Sequence, residues 1–395
     1  MVQQTMKAFF DETGTRPHLG PKPTDEQIAV MLSRNNTHCP LNRIIVSPEN
    51  EGNFRILHRF ASAAYRRANR SCRGFSFGLY CPPGQGKTFI TKAWAETIGI
   101  PFVFVQSSSL KGTYHLFQQI QKECEKYGTP IVPHKTAKSD YTLPPMIVFF
   151  DEAHEINLDL QKGGLLNPME PDDGYMHVVE PGQNGETVVV DCYNVCWIAA
   201  TTDPADLFDA FRSRFLNNIE WCPAGPNELP HIIRAGLTDK VKKHELPFVP
   251  PLDVCEKIAV YQQVPRIAIH GFGVQVVLQK QAMPSDTWDD CCKIVASDLG
   301  IDQWGMTKKQ VMILTALGQR PIAKARLGDI CKCRAEQVNS MELPGLSQYT
   351  NGGPFCLSIS GRGMCITEAG LRELEKRGIP HNGPKVTAEY FEAKR

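Results

Sequence analysis

The sequence predicts an α/β fold whose core is a parallel sheet, followed by a small helical domain and a mixed C-terminal domain. Three observations carry this prediction. From Arg43 to about Cys222, apolar runs typical of strands buried on both faces alternate with longer helical stretches. Residues 223–303 contain no such runs and predict short helices broken by proline. Residues 304–380 predict three helical pieces followed by β-like runs around Gly352–Ile366.

These patterns divide the chain into five segments. The first forty residues are polar and predict one helix near Asp25–Leu32, so we interpret 1–40 as an N-terminal extension. A large α/β domain is predicted at 41–222, a helical domain at 223–303, a third domain at 304–380 and a tail at 381–395. The clearest strands of the large domain are Phe75–Tyr80, Phe102–Val105, Met146–Phe150 and Val195–Ala200.

Composition narrows the class of protein. The 395 residues are 42% apolar and 22% charged, which is ordinary for a globular protein. The formal net charge is +1, so a surface for nucleic acid must come from local clusters of basic residues. The sequence contains no run of about 18–20 apolar residues to span a membrane and starts without a secretory signal, so we expect a cytoplasmic protein. In that compartment the fourteen cysteines are expected to be free thiols.

A glycine-rich segment follows the first predicted strand. The strand leads into CPPGQGKT, from Cys81 to Thr88, and then into a predicted helix. This is the phosphate-loop pattern GxxxxGK[ST] with Cys81 in place of the first glycine. Glycines let successive backbone amides turn toward phosphate, and the helix N-terminus adds a positive dipole. The pattern predicts ATP binding, with Lys87 on the β- and γ-phosphates and Thr88 on Mg²⁺.

Paired carboxylates end a later strand. The run MIVFFDEAHEI places Asp151 and Glu152 at the carboxyl end of a buried strand, where doubly wound sheets bind ligands. We expect Asp151 to hold the Mg²⁺ shell and Glu152 to polarise the attacking water. The letters DEAH also name a motif of a helicase superfamily that has two RecA-like domains. That architecture needs a second RecA-like domain with its own arginine motif, which the downstream sequence lacks.

Polar residues after the next strand extend the predicted site. Val195–Ala200 ends in Thr201-Thr202, and Thr202 is the better placed to orient the water, although both threonines could simply cap the next turn. The segment DPADLFDAFRSRF then contains Arg212 and Arg214, where ring-forming ATPases present an arginine to the γ-phosphate of a neighbour. We favour Arg214 for this role.

One more arginine is predicted to sense the nucleotide. In VPRIAIHGF, Arg266 stands at a predicted helix start, from which it could reach the nucleotide or form a surface salt bridge. The predicted catalytic residues are therefore Lys87, Glu152, Thr202 and Arg214, and the predicted Mg²⁺ ligands are Thr88 and Asp151. The residues predicted to contact nucleotide are Pro83, Gly84, Gln85, Gly86, Lys87, Thr88, Phe89 and Arg266.

Together these motifs resemble the AAA+ superfamily and, within it, the RuvB family of Holliday-junction branch-migration motors. Four stretches carry the resemblance in order: PPGQGKT, the DEAH strand with NPMEPDDGYM after it, IAATTDPADLFDAFRSRF, and VPRIA. The likeness covers roughly residues 43–375. The first forty residues and the segment 122–145, which looks like an insertion, depart from the family pattern.

The resemblance implies an AAA+ P-loop core, a helical lid at 223–303 and a winged-helix domain at 304–380. It also implies a homo-oligomeric, hexameric ring that hydrolyses ATP and acts on duplex or branched DNA as a helicase or translocase in DNA recombination. The segment Tyr175–Cys192 predicts a β-hairpin around PGQNG. RuvB-like proteins use a hairpin here to touch a partner protein that holds the junction; an ordinary surface hairpin is the alternative.

Two basic clusters are candidates for DNA contact. Between Met306 and Ala335, seven basic residues face the single acid Asp329: Lys308, Lys309, Arg320, Lys324, Arg326, Lys332 and Arg334. Such a surface suits phosphate contacts, although winged helices also bind proteins. A second set shares one face of a predicted helix before the phosphate loop, and that face could also be solvated or meet another subunit. Its members are Arg55, Arg59, Arg66 and Arg70.

Two other functions stay open at the level of sequence. A DNA-bound regulatory ATPase of the transposition or helicase-loading type would use ATP to fix an assembly without translocating. A nucleotide-switched signalling scaffold would pack its winged helix on its own ATPase core and would not respond to DNA.

Overall fold

The computed structural model describes most of the chain. The described residues are 23–67, 70–129, 131–133, 140–170, 174–179, 187–215, 217–334, 338, 342–343, 346, 354–359 and 362–392. The chain folds into two compact units. The first contains the residues up to 44, 48–81 and 87–222, and the second contains 45–47, 82–86 and the residues from 223 onward.

Two sheets form the framework of the first unit. Their strands are β1 (Phe77–Tyr80), β2 (Phe102–Gln106), β3 (Val132–Pro133), β4 (Tyr141–Thr142), β5 (Met146–Asp151), β6 (Tyr175–Val179), β7 (Thr187–Asp191), β8 (Val195–Thr201) and β9 (Asn217–Glu220). The larger sheet is parallel and has the strand order β2-β5-β8-β1-β9, and the smaller sheet has the order β3-β4-β7-β6.

The large sheet has the parallel topology that the apolar runs predict. All of β8 and all of β5 except its last residue are buried, because helices cover both faces of the sheet. Register follows the apolar residues: Phe150 pairs with Ala199, and Phe77 pairs with Ile198. The edge strand β9 is not predicted from sequence, because in NNIE only the isoleucine is apolar and buried.

Five helices complete the described part of the first unit. They are α1 (Asp25–Met31), α2 (Glu51–Arg66), α3 (Lys87–Ile98), α4 (Thr113–Lys126) and α5 (Asp209–Arg212). Helix α1 lies in the predicted N-terminal extension and starts with a capping box between Thr24 and Gln27. Helix α3 follows the glycine-rich segment and buries Trp94 completely.

The predicted basic face of α2 is wrong at one end. The helix ends at Arg66, so Arg70 does not continue it. Arg70 has a φ of 56° and donates a 2.6 Å hydrogen bond to the carbonyl of Ile98. Arg66 pairs with Asp25 at 2.8 Å, which leaves Arg55 and Arg59 exposed on the helix surface.

The small sheet explains part of the predicted insertion. Strands β6 and β7 are antiparallel and match the predicted hairpin, whose turn at 180–186 lies outside the described residues. From segment 122–145, β4 pairs with β7 in parallel, and β3 pairs with β4 in antiparallel fashion. The departure from the family pattern therefore widens the hairpin into a four-stranded sheet.

The second unit contains the predicted helical lid and the C-terminal segment. Its helices are α6 (Leu229–Lys242), α7 (Leu252–Tyr261), α8 (Pro265–Ile267), α9 (Gly273–Ala282), α10 (Trp288–Asp298), α11 (Lys308–Leu317), α12 (Leu327–Cys331), α13 (Glu368–Lys376) and α14 (Ala388–Glu392). A π-helical turn, Ala268–Phe272, joins α8 to α9. No helix in the described ranges is long and apolar enough to cross a membrane.

The C-terminal segment also contains a pair of strands. Strands β10 (Cys356–Ile359) and β11 (Gly363–Ile366) pair antiparallel, and Ile322 bridges to Met364 at their edge. The third predicted helical piece, Ala335–Met341, lies almost entirely outside the described residues. The stretch predicted as a tail contains α14, whose Ala388 is completely buried.

Candidate nucleotide site

Lys87 is the first residue of α3 and is almost fully buried, with 6% of its side chain exposed. Its ammonium group donates to Glu152 Oε1 at 3.0 Å and to the carbonyl of Cys81 at 3.1 Å. A buried lysine requires such partners, because removing an unpaired charge from water costs several kcal/mol. The fold therefore holds a positive charge beside the paired carboxylates.

Glu152 follows the last residue of β5 in a left-handed backbone conformation, with φ of 49° and ψ of 59°. A residue other than glycine costs about 1 kcal/mol or more in this region, and such residues concentrate at functional sites. The turn directs the carboxylate across the sheet edge. Its Oε2 atom accepts from the backbone amide and the hydroxyl of Thr202, both at 3.3 Å.

Thr201, the last residue of β8, and Thr202, which follows it, make different contacts. The Thr202 hydroxyl donates to Glu152 Oε2 at 3.3 Å, and its predicted role in orienting the water stays a prediction. Thr201 is completely buried, and its hydroxyl accepts from the amide of Asp203 at 3.1 Å, so Thr201 is the residue that caps the turn. The alternative interpretation of the pair as caps therefore describes the first threonine but not the second.

His154 belongs to this cluster and was not predicted. Its Nδ1 atom shares a 2.7 Å hydrogen bond with the hydroxyl of Thr201 and lies 3.6 Å from Glu152 Oε2. The signal was present in the letters DEAH, but strand periodicity says nothing about a residue beyond the strand end. The 3₁₀ turn Ala153–Glu155 brings the imidazole back toward the sheet.

Asp151 and Thr88 both carry oxygen atoms that could bind a hard cation. Asp151 is the half-buried last residue of β5, paired in register with Gln106 and Ala200, and Thr88 is the half-buried second residue of α3. Carboxylate and hydroxyl oxygens are ligands that Mg²⁺ accepts in nucleotide sites. The donor chemistry of these two residues therefore fits Mg²⁺.

The glycine-rich segment 82–86 belongs to the second unit and has the backbone form of a phosphate loop. Gly84 and Gly86 have φ of 79° and 92°, in the region that favours glycine. A side chain at Gly84 would place its Cβ 2.6 Å from Val264 Cγ1. Cys81, in place of the first glycine of the pattern, does not have a positive φ, so glycine is not needed there.

Cys81 is chemically quiet. Its thiol is buried, and desolvation raises its pKa to about 12 despite the opposing charge of Lys87. The thiol therefore stays neutral at physiological pH, and it acts as a small apolar side chain under the start of the loop.

The remaining predicted nucleotide contacts are on or near this loop. The backbone amide of Arg266 donates to the carbonyl of Gly84 at 3.3 Å, and its exposed side chain takes part in none of the ion pairs of the described residues. Gln85 Oε1 accepts from the amide of Ala224 at 3.2 Å. Pro83 is exposed, and Phe89 on α3 is 51% exposed.

Arg214 lies apart from Lys87 and Glu152. It precedes β9 and forms an ion pair with Glu170, in a cavity that also includes Ser76 before β1 and Val195 at the start of β8. Arg214 is therefore at the amino ends of the strands, whereas Lys87 and Glu152 are at the carboxyl ends. Arg212 is more exposed and pairs with Asp209 at 2.8 Å.

The comparisons with known proteins agree with this geometry. Residues 77–222 match the model of the family described as ATPase family associated with various cellular activities, or AAA. That match covers the parallel sheet, Lys87 and the paired carboxylates Asp151 and Glu152. Solved structures of Thermotoga maritima RuvB then give the fold of most of the chain.

The fold is that of a RuvB-like AAA+ protein. A mutant of Thermotoga maritima RuvB has a TM-score of 0.60 and 19% identity, and the match covers 85% of this chain and 97% of that chain. A second structure, titled as the Thermotoga maritima RuvB Holliday junction branch migration motor, has a TM-score of 0.57 at 19% identity, with 84% and 95% coverage.

A curated archaeal protein matches the AAA region alone. It is named as a putative 26S proteasome regulatory subunit homolog of Methanothermobacter marburgensis and is 29% identical over 146 residues. The match covers 37% of this chain and 35% of the relative, so this chain spans about a third of that protein's length. The RuvB-like AAA+ fold and the AAA match together support nucleotide binding and ATPase activity.

Proposed function

We propose that this RuvB-like AAA+ protein is a ring-forming ATPase that uses ATP hydrolysis to move or remodel duplex or branched DNA. The single observation that carries the ATPase part is the cluster around Glu152. A carboxylate in a left-handed turn contacts both Lys87 and Thr202 at the carboxyl edge of a parallel sheet. Open α/β sheets bind their ligands at this edge.

In the proposed mechanism, each step of ATP hydrolysis is assigned to a named residue of the cluster. In the described structure the Lys87 ammonium is paired with Glu152, and ATP would give that ammonium phosphate oxygens as partners instead. Glu152 would then be free to accept a proton from the attacking water, with the Thr202 hydroxyl orienting that water. Mg²⁺, held by Thr88 and Asp151, would neutralise charge on the phosphate oxygens.

Arg214 completes the proposed mechanism from a second copy of the chain. Strand β8 has seven residues and separates the carboxyl edge from the amino edge. At roughly 3.3 Å per residue, the two edges are about 20 Å apart, which is beyond the reach of an arginine side chain. Arg214 therefore serves the γ-phosphate of a neighbouring copy, which makes assembly a condition of turnover.

Arg266 links the loop to the lid in this proposal. Its amide is bonded to Gly84, so movement of the phosphate loop is transmitted to the start of α8 and the helices that follow. The exposed guanidinium would contact the phosphates of a bound nucleotide.

The DNA surface is proposed from the C-terminal segment, which we interpret as a winged helix. Six of its seven predicted basic residues are exposed, and Lys309 is half-buried. None of the ion pairs found among the described residues uses them, so their charge is available to phosphate. Such binding would be sequence-tolerant and salt-sensitive, with protein contacts as the other use of this fold.

The decisive experiment measures ATPase activity with and without four-way junction DNA across a salt series. We expect DNA to stimulate turnover at low salt and the stimulation to fade as salt rises. The variant Lys87→Ala should abolish turnover, and Glu152→Gln should keep nucleotide binding while turnover falls. An ATPase activity that is the same with and without DNA at every salt concentration would favour a signalling scaffold over a DNA motor.

A second assay separates a motor from a regulator. Branch migration of a labelled junction requires translocation, whereas a DNA-bound regulatory ATPase would bind and hydrolyse without moving strands. We expect branch migration that depends on ATP and is absent in Glu152→Gln. DNA-stimulated turnover without strand movement would replace the motor with the regulatory function.

A further inference from the structure

Arg214 shares its cavity with a second arginine. The cavity, of about 20 Å³, lies at the amino ends of β1 and β8 and includes Arg73, Ser76, Glu170, Tyr193 and Arg214 in its lining. We propose that Arg73 is a second cation of the site that this chain offers to the nucleotide of a neighbouring copy. This inference rests on the proposed function and assigns a further residue to the same reaction.

Arg73 is held in place by an aromatic ring. Its guanidinium lies 4.1 Å from the centroid of Tyr193, and it donates to the hydroxyl of the same tyrosine. Stacking and hydrogen bonding together orient the planar guanidinium, so less side-chain entropy is lost when an anion binds. Such preorganisation is what a group that stabilises transition-state charge requires.

The charges of the cavity favour an anion. Its lining contains two cations, Arg73 and Arg214, and one carboxylate, Glu170, which leaves a net charge of +1. The Nε atom of Arg214 is buried and has no hydrogen-bond partner among the described residues. That atom is an unused donor beside an ion pair that uses only another nitrogen of the same guanidinium.

Glu170 occupies the position that a phosphate would take. Carboxylate and phosphate oxygens both match the donor geometry of a guanidinium, so one can replace the other. The enclosed space holds only about one water molecule, so the anion must approach from outside and displace the carboxylate. The rim allows this approach, because Gly74 is exposed and a Cβ there would meet no atom within 4 Å.

Geometry excludes the chain's own nucleotide as that anion. Arg73 lies with Arg214 at the amino edge of the sheet, and the seven residues of β8 separate this edge from Glu152. At roughly 3.3 Å per residue, that distance of about 20 Å exceeds the length of the side chain. A phosphate that reaches both arginines therefore belongs to a second copy.

The test uses mixtures of inactive variants. Arg73→Ala is expected to lower turnover by about 10²-fold, the cost typical of removing one donor from a charged transition state, while ATP affinity stays unchanged. Lys87→Ala is inactive because its own phosphate loop fails. When the two are mixed before assembly, some interfaces combine an intact loop from one variant with an intact Arg73 from the other. We expect turnover to rise well above that of either variant alone.

The controls separate this proposal from the proposed function. A mixture of Arg214→Ala with Lys87→Ala should also recover, because Arg214 acts across the same interface. Recovery with Arg214→Ala but not with Arg73→Ala would show that Arg73 acts inside its own chain and would overturn the inference. Failure of both mixtures would overturn the shared site as a whole, including the role of Arg214.

Two further variants guard against a folding defect. Arg73→Gln keeps most of the side chain without its charge and should behave like Arg73→Ala in the mixture. Arg34→Ala removes another arginine that stacks on an aromatic ring, Phe54 at 3.9 Å, outside the cavity. We expect Arg34→Ala to keep wild-type turnover. Wild-type turnover of Arg73→Gln or Arg73→Ala would contradict the proposal.

Discussion

At the scale of single residues, the candidate site depends on how one carboxylate is oriented. The Glu152 carboxylate lies 3.0 Å from the Lys87 ammonium, 3.3 Å from the Thr202 hydroxyl and 3.6 Å from His154 Nδ1. The left-handed backbone of Glu152 makes this orientation possible, at a conformational cost of about 1 kcal/mol or more. Arg70, His244 and Lys332 also have a positive φ, so it is the contacts of the Glu152 carboxylate, more than the backbone strain, that identify this residue.

His154 is expected to position Glu152 and Thr201 without touching substrate. Replacement by alanine removes the 2.7 Å hydrogen bond to Thr201 and the neighbour of Glu152 Oε2, so the carboxylate gains freedom. We expect His154→Ala to lower kcat by about 10-fold, with little change in KM. Steady-state kinetics of the assembled protein measure both constants. His154→Asn, which keeps a polar group near Thr201, should recover part of the loss.

If His154→Ala raises KM and leaves kcat unchanged, His154 contributes to nucleotide binding and the positioning role is wrong. Circular dichroism of the variant checks that the sheet edge remains folded. We expect the variant to stay folded, because the His154 side chain is only partly buried, with 22% of it exposed.

Gly84 tests the phosphate loop at the same scale. The position combines a φ of 79° with a would-be Cβ 2.6 Å from Val264 Cγ1. Gly84→Ala should therefore lower the melting temperature and weaken nucleotide binding, because either the backbone amides or Val264 must move. The matched control is Gly128→Ala, where φ is 63° and a Cβ meets no atom within 4 Å.

Gly128→Ala isolates the backbone cost of about 1 kcal/mol and should leave nucleotide affinity unchanged. Thermal unfolding and titration with a fluorescent ATP analogue measure the two effects. Equal nucleotide affinity in both variants would show that the contact with Val264 does not matter for the loop.

At the scale of elements, the C-terminal segment places its basic residues on short helices and their connections. Lys324 and Arg326 are both exposed on a 3₁₀ turn that leads into α12. Helix α12 packs Leu327 and Cys331 inward, whereas no residue of the 3₁₀ turn is buried, so its charged residues remain at the surface. This arrangement presents positive charge without burying it.

Charge reversal at this turn should weaken DNA binding. We expect the double variant Lys324→Glu and Arg326→Glu to bind duplex DNA less tightly and to show a shallower salt dependence. The slope of log K against log salt falls by about 0.9 for each lost phosphate contact. Fluorescence anisotropy across a salt series measures this slope. The control with the same change of charge is the double variant Lys122→Glu and Lys126→Glu, at two exposed lysines on α4.

An unchanged slope in the double variant would remove this turn from the DNA surface, whatever its effect on affinity. An equal loss in the double variant Lys122→Glu and Lys126→Glu would indicate a general effect of net charge. The prediction is specific because both reversals lie on one turn.

At the scale of the whole molecule, the residues of the proposed mechanism lie at two opposite edges of the large sheet. The carboxyl edge of the sheet holds Lys87 and Glu152, and the amino edge holds Arg214 with Glu170. About 20 Å of strand separates the two edges, so the proposed mechanism requires assembly to bring Arg214 of one copy to the nucleotide of another.

Arg214→Ala should therefore leave ATP binding intact and lower turnover by about 10³-fold or more. Arg212→Ala is the control, because Arg212 is exposed and pairs with nearby Asp209. Turnover and nucleotide affinity are measured at protein concentrations that allow assembly. Wild-type turnover of Arg214→Ala, or a loss confined to Arg212→Ala, would reassign the arginine.

Much of this molecule follows from local sequence. Buried apolar runs predict four strands of the parallel sheet, because a strand covered on both faces must be apolar throughout. The phosphate loop and the paired acids are predicted because glycine and carboxylate chemistry act over a few neighbouring residues. The spacing of PPGQGKT, DEAH and TTDPADLFDAFRSRF also identifies the fold family that the structural comparisons confirm.

Tertiary structure decides what depends on distant segments meeting. The edge strand β9 forms because β1 offers it a hydrogen-bonding partner, although only one of its residues is apolar. His154 joins the site because Thr201 arrives from another strand, and Arg70 leaves the predicted basic face because Ile98 offers it a carbonyl. Composition and periodicity report what a residue prefers locally, whereas these contacts depend on where the sheet places their partners.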